Sequence, residues 1–192
     1  VQLEDLNHLV FMCHEPKNKL KGTNALKYIE WGEKQGYHNR PTCRSRKWWW
    51  SLEEVGFADF LWPNAFNDRY CVFINQSFYT DMRFYLINLQ NKTCQNIIIS
   101  LNSVLNIFNV ELFGISNLGE GVIYTNVYQV PNNIVVVIND KTYSYFLGLI
   151  KNFKPKSIFT ELGFDPNKPI REQEPNPLPD RKALDDIIFD AL

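Results

Sequence analysis

Apolar residues recur along this chain with two periods, and the change of period separates helices from strands. Ala25, Tyr28, Ile29 and Gly32 form one stripe with Lys27, Glu30 and Lys34 opposite, the signature of a helix that buries one side. Thr23 or Asn24 supplies its cap and Gly36 its end. The clearest helix is expected from about Thr93 to Phe113, where Ile97, Leu101, Val104, Leu105, Phe108 and Leu112 repeat at helical spacing. Asn102, Asn106 and Asn109 line another of its faces, and Gly114 stops it. Two further amphipathic helices are predicted, Tyr143–Asn152 and a last one capped by Asp180 with Leu184, Ile187, Ile188 and Ala191 on its stripe. So short a terminal helix needs a surface to pack on.

Between these helices the pattern turns to strands. Phe57–Trp62, before Pro63, reads as a short apolar strand, and Tyr70–Ile74 as a continuous apolar run. After the turn residues Asn75, Gln76 and Ser77, the alternation predicts Phe78, Met82, Phe84 and Leu86 facing a core, with Tyr79, Asp81, Arg83 and Tyr85 outward. The two runs are expected to form an antiparallel hairpin. Val122–Val130 and, past Pro131-Asn132-Asn133, Ile134–Ile138 complete the β set. The fold class is therefore α+β, antiparallel strands packed with helices, with a domain over 1–164, a proline-rich connector over 165–179 and a terminal helix over 180–192.

Composition narrows the class. With 192 residues, 45% hydrophobic and 21% charged, the chain is globular and large enough for a real core. The longest apolar stretch, Ile97–Phe113, is interrupted by asparagines and falls short of the roughly 20 apolar residues that span a bilayer, so no membrane association is expected. Cys13, Cys43, Cys71 and Cys94 are widely spaced without a CxxC pair, which fits reduced thiols and a cytoplasmic location. Cys13-His14 and His38 with Cys43 lack the spacing of a zinc knuckle, and no metal site is predicted. The chain opens at Val1 and stops at Leu192 in mid-pattern, and is expected to be a piece of a longer protein.

Net charge is −1, yet the charge is unevenly placed. Between Lys17 and Lys47, nine bases face only Glu30 and Glu33, giving about +7 there and about −8 elsewhere, an asymmetry that points to a polyanion on one face. Within it, Tyr37–Lys47 reads as an exposed loop, with Pro41 forcing extended backbone at Arg40. Trp48, Trp49 and Trp50 follow. Arginine forks grip phosphate oxygens or the guanine edge, and Thr42 or Ser45 can donate to phosphate. The indoles serve either as the anchor of the loop's base in the core or as stacking surfaces for an unpaired base. Enzyme signatures are missing: there is no GxSxG, HExxH, GxxxxGK[ST] or GxGxxG, and NLGEG leads into a strand rather than a helix. Glu53, Glu54, Asp59 and Asp68 are too scattered for a metal nuclease. His8, His14 and His38 have no activated nucleophile nearby in the sequence.

Several segments together, NALKYIEWGEKQGYHNRPTCRSRKWWWSL, ADFLWP with NDRYCVFIN, SLNSVLNIFNVELFGISNLGEGVIYTNVYQV and LPDRKALDDIIFDAL, resemble the C-terminal target-recognition, or specificity, domain of adenine-specific DNA methyltransferases, including fused type II restriction-modification enzymes. The resemblance covers nearly the whole chain. It implies a duplex DNA partner, an N-terminal catalytic methyltransferase domain in the same parent chain, and S-adenosylmethionine bound by that domain. The family's Asn-Pro-Pro-aromatic motif is absent, as the chain has no Pro-Pro pair, so it implies no catalytic residue and no cofactor in this fragment. By matched segment, the DNA-binding residues are Tyr37, His38, Arg40, Arg44, Ser45, Arg46 and Lys47, with Asn117, Gly119 and Gly121 second. For those glycines a turn needing positive φ is an equal explanation. Two competing functions are a recognition domain of a multi-subunit restriction specificity subunit, which would carry two copies, and a carbohydrate or protein-interaction module using Trp48–Trp50.

Overall fold

Thr23 starts the first helix because its own backbone is still extended while its hydroxyl oxygen accepts from the Leu26 amide at 3.2 Å, satisfying one of the donors a first turn leaves open. In the computed structural model, which describes residue 6, 8–53, 56–75, 77–91, 95–116, 119–150 (149 and 150 by backbone alone) and 154–192, this helix is α1, Asn24–Lys34. Gly36, at φ 76°, ends it in the left-handed conformation that suits glycine. A single helical turn at Tyr37–Asn39 follows, then extended backbone at Arg40, then α2, Pro41–Arg44, with proline at its first position, where the missing N–H costs nothing. The expected open loop over Tyr37–Lys47 is thus two short helical turns joined at Arg40. Proline does extend the residue before it, but it also pre-sets the next turn.

The chain divides into two compact units, Val1–Gly56 and Phe57–Leu192. In the first, Leu20, Ile29 and Trp50 are buried together, with Phe11, Cys13, Ala25, Leu26, Trp48 and Trp49 packed against them. Tyr28, expected on the buried stripe, is instead half exposed.

In the second unit β1, Phe60–Pro63, lies between β3, Phe73–Ile74, and β4, Phe84–Ile87, antiparallel to both. The expected hairpin between the flanking runs does not form, because β1 inserts between them. The faces of β4 are also exchanged relative to expectation. Tyr85 and Ile87 pack on the core, while Leu86 is exposed and Met82 is 87% exposed; in a two-residue period a shift of one reverses every side chain. A second, two-stranded sheet pairs β2, Ala65–Phe66, with β5, Ile123–Tyr124. The strand expected over Val122–Val130 is cut to those two residues, since the Asn126 carboxamide accepts from the Tyr128 and Gln129 amides and turns the chain. Ile134–Ile138 is not a strand either. Val136 and Ile138 are buried, but the Val136 amide donates to Ser100 Oγ at 2.9 Å and the Ile138 carbonyl accepts from the Asn96 carboxamide, so side chains replace a neighbouring strand.

The long helix is broken. α3, Ile97–Leu101, and α4, Val104–Phe113, are separated by Asn102 and Ser103, and residues 93 and 94 of the expected helix lie outside the described residues. Ser103 caps α4. Asn102 exchanges two hydrogen bonds with the Val72 backbone, at 2.9 and 3.0 Å. α5, Asp140–Ile150, α6, Ile158–Glu161, and α7, Pro179–Phe189, complete the unit. The proline-rich stretch returns to α6, with the Leu178 amide donating to the Glu161 carbonyl at 2.8 Å. α7 buries Leu184 and Ile188 in the core shared with Phe60, Trp62 and Ile99.

One buried ion cluster fixes α7. Arg181, 1% exposed, donates to Glu161 from Nε at 2.8 Å and from a terminal nitrogen at 2.5 Å, and to the Asn102 carbonyl at 2.7 Å. Asp185 accepts from the Val104 amide at 2.8 Å, so α7 caps α4. Burial raises the Asp185 carboxyl, and the Val104 and Arg181 hydrogen bonds only partly offset this. Among the described residues no helix is long and apolar enough to cross a membrane.

Candidate nucleic-acid interface

The residue types between Tyr37 and Lys47 matter only if their charges are available, and geometry decides that. Arg40, Arg44, Ser45, Arg46 and Lys47 are exposed, and Tyr37 and His38 half-buried. Lys17 and Lys19 pair with Glu33 and Glu15, at 2.5 and 2.9 Å. Among the described residues, no carboxylate pairs with Arg40, Arg44, Arg46 or Lys47. Their other contacts are aromatic or backbone: Arg40 lies over the Tyr37 ring at 4.6 Å, Lys47 over Trp48 at 4.5 Å, and Arg46 donates to the Trp49 carbonyl at 3.4 Å. Cation–π contact leaves a positive charge free for an external anion, whereas an ion pair neutralises it.

The tryptophans hold this segment in place. Trp50 is 8% exposed, parallel to Trp48 at 6.1 Å between centroids and edge-on to Trp49 at 6.2 Å. Trp49 crosses α1 at Gly32, where an added Cβ would lie 2.4 Å from the ring. Its indole N–H donates to Glu33 at 3.2 Å. Burial alone would raise the Glu33 carboxyl, but the Lys17 and Trp49 hydrogen bonds outweigh it and hold the group below its ordinary value. Of the two roles open to the indoles, the anchor is the one the packing fulfils. Trp50 is buried, while Trp48 and Trp49 are half-buried.

Gly119 and Gly121 belong to the second unit, with φ of 80° and 73°, and Glu120 between them is also left-handed at 53°. Asn67 donates to the Glu120 carbonyl at 3.2 Å and the Val122 amide to the Gly119 carbonyl at 3.1 Å. The turn explanation thus accounts for both glycines. Asn117 lies outside the described residues. Nearby, a cavity of about 310 Å³ is bordered by Asn109, Gln129, Asn132 and Asn133. Their carboxamides are largely tied up within the unit: Asn109 with Asn133 at 2.5 Å, Gln129 with the Phe113 carbonyl.

Reactive chemistry has few seats. Among the described residues no three His, Cys, Asp or Glu side chains gather as a metal site. Burial pushes the Cys71 thiol up to about 12, which keeps it protonated and a poor nucleophile.

Arg40, Arg44, Arg46 and Lys47 thus form an exposed cationic segment on an aromatic base. Residues 2–134 match the family described as "Type II methyltransferase M.Eco57I, C-terminal domain". The chain belongs to that family, the C-terminal domains of type II restriction-modification methyltransferases. No curated protein and no solved structure matches it.

Proposed function

We propose that this chain is the target-recognition part of an adenine-specific DNA methyltransferase, binding duplex DNA in a sequence-specific way and carrying no methyl-transfer chemistry itself. The observation that carries the reading is the exposed row Arg40, Arg44, Arg46 and Lys47, without a carboxylate partner among the described residues, on a tryptophan-anchored base. Phosphate contacts from these groups would set position on the duplex, and the arginine forks would read base edges in the major groove. The catalytic partner is an upstream domain of the same cytoplasmic parent chain, and S-adenosylmethionine supplies the methyl group there. Gly119, Glu120 and Gly121 lead towards β5.

The test is binding of the 192-residue chain to duplex carrying the parent's methylation site, by fluorescence anisotropy. The double variant Arg44→Ala/Arg46→Ala loses about 1 to 3 kcal/mol per base contact if both side chains read bases. Unchanged affinity in that variant contradicts the reading, as does methyl transfer by the isolated chain supplied with S-adenosylmethionine.

A further inference from the structure

Of the indoles that the sequence offers as stacking surfaces, Trp50 is buried and Trp48 and Trp49 are half-buried, but another aromatic surface is more open. Phe11, Tyr28, Trp31 and Tyr37 form a continuous row, with ring centroids 4.9, 5.5 and 5.6 Å apart in that order. Arg40 closes the row over Tyr37. Tyr28 and Trp31 lie nearly parallel, 25° between planes, and are 50% and 46% exposed. They belong to α1 but not to its buried side.

The charges around this row select a ligand. Lys27 is four residues before Trp31 and Lys34 three after it, which makes both its neighbours on the helix surface. Both are exposed, and neither has an ion pair among the described residues. Of the two carboxylates on α1, Glu33 is held by Lys17 and Trp49, and Glu30 lies about 100° round the helix from Trp31. A flat aromatic surface edged with unpaired cations complements a ligand that is itself flat and attached to a polyanion. Nucleobases have that chemistry, but in an intact duplex their faces are covered by their neighbours. Only unstacked bases can use these rings.

We propose that the Tyr28–Trp31 face of α1, continued by Tyr37, is a stacking site for unpaired bases of a DNA strand, beside the duplex contact of Arg40 to Lys47 but separate from it. The proposal rests on the DNA reading above and extends it: the chain holds DNA more tightly where the strand is locally opened. Lys27 and Lys34 take the phosphates beside the stacked base.

The experiment compares three labelled DNAs with the 192-residue chain at one salt concentration: a perfect duplex, the same duplex with a short thymine bulge, and oligo-dT. Wild type binds the bulged duplex more tightly than the perfect one. Trp31→Ala weakens bulged-duplex and oligo-dT binding by roughly 5- to 150-fold, the equivalent of one base–aromatic stack, and leaves perfect-duplex affinity unchanged. Trp31→Phe, which keeps a ring, retains most of the binding and answers the objection that the alanine variant is merely misfolded. If Trp31→Ala leaves all three affinities unchanged while the perfect duplex is still bound, the stacking site is wrong, the face belongs to a protein contact, and the duplex reading stands. If wild type ignores the perfect duplex, the duplex reading fails, whether or not oligo-dT binding depends on Trp31.

Discussion

Replacing Arg181 by methionine tests whether α7 is part of the second unit's core or an appendage. Methionine fills much of the space of the arginine stem but removes every donor. Among the described residues, Glu161, 4% exposed, then keeps the Lys156 amide as its side-chain partner, and Asp185, 9% exposed, the Val104 amide. Stranding buried carboxylates in this way costs about 3 to 5 kcal/mol, against a total stability of about 5 to 15 kcal/mol for a domain. With a urea dependence of about 2 kcal/mol per molar, the midpoint falls by about 2 M. Urea titration followed by circular dichroism reads this directly. The double variant Arg181→Met/Glu161→Leu recovers a large part of the loss, because an apolar replacement of a buried pair is often close to neutral. A cost below about 1 kcal/mol for the single variant would match an exposed pair and would refute the buried cluster.

Other consequences follow from the first unit. Gly32→Ala normally gains about 1 kcal/mol in a helix, but here the new methyl meets Trp49 at 2.4 Å; overpacking costs about 1 to 3 kcal/mol, so a thermal melt shows net destabilisation and a gain contradicts the Trp49 placement. Glu33 is held below its ordinary 4.5, so its contribution is present above that pH and is lost as pH falls through the lower folded value. Glu33→Gln therefore destabilises the chain at neutral pH, and the difference from wild type shrinks as the buffer is taken below pH 4.5; a difference that persists in acid would show that the carboxylate charge is not what matters.

How far the fold could be read beforehand depends on the range of the forces involved. α1 was legible from its cap to Gly36 because every signal lies within a few residues. The sheet was not, because β1 pairs with both later strands and local alternation carries no information about which strand lies between. The break at Asn102 had a local cue, a serine at 103 able to cap a new helix, but the hydrophobic spacing ran smoothly across it. Arg181 stands three residues before Leu184 and seven before Ile188, on the apolar stripe of α7, yet a charged residue there reads as solvated until Glu161 is seen beneath it. At the candidate interface the basic residues and the anchoring indoles were legible from type and order alone. The availability of the charges was not, since that depends on where Glu15 and Glu33 are held. The same limit hid the open face of Tyr28, whose spacing matched the buried stripe while Phe11 and Trp31 draw it outward.

Salt dependence of duplex affinity tests the central claim most directly, because it counts neutralised phosphates rather than contacts of any other kind. If Arg40, Arg44, Arg46 and Lys47 neutralise about four phosphates, raising monovalent salt fourfold weakens wild-type binding roughly 150-fold. In Arg44→Ala/Arg46→Ala the slope of log affinity against log salt falls by about 2 if both groups meet phosphates. Binding that hardly responds to salt would contradict the account.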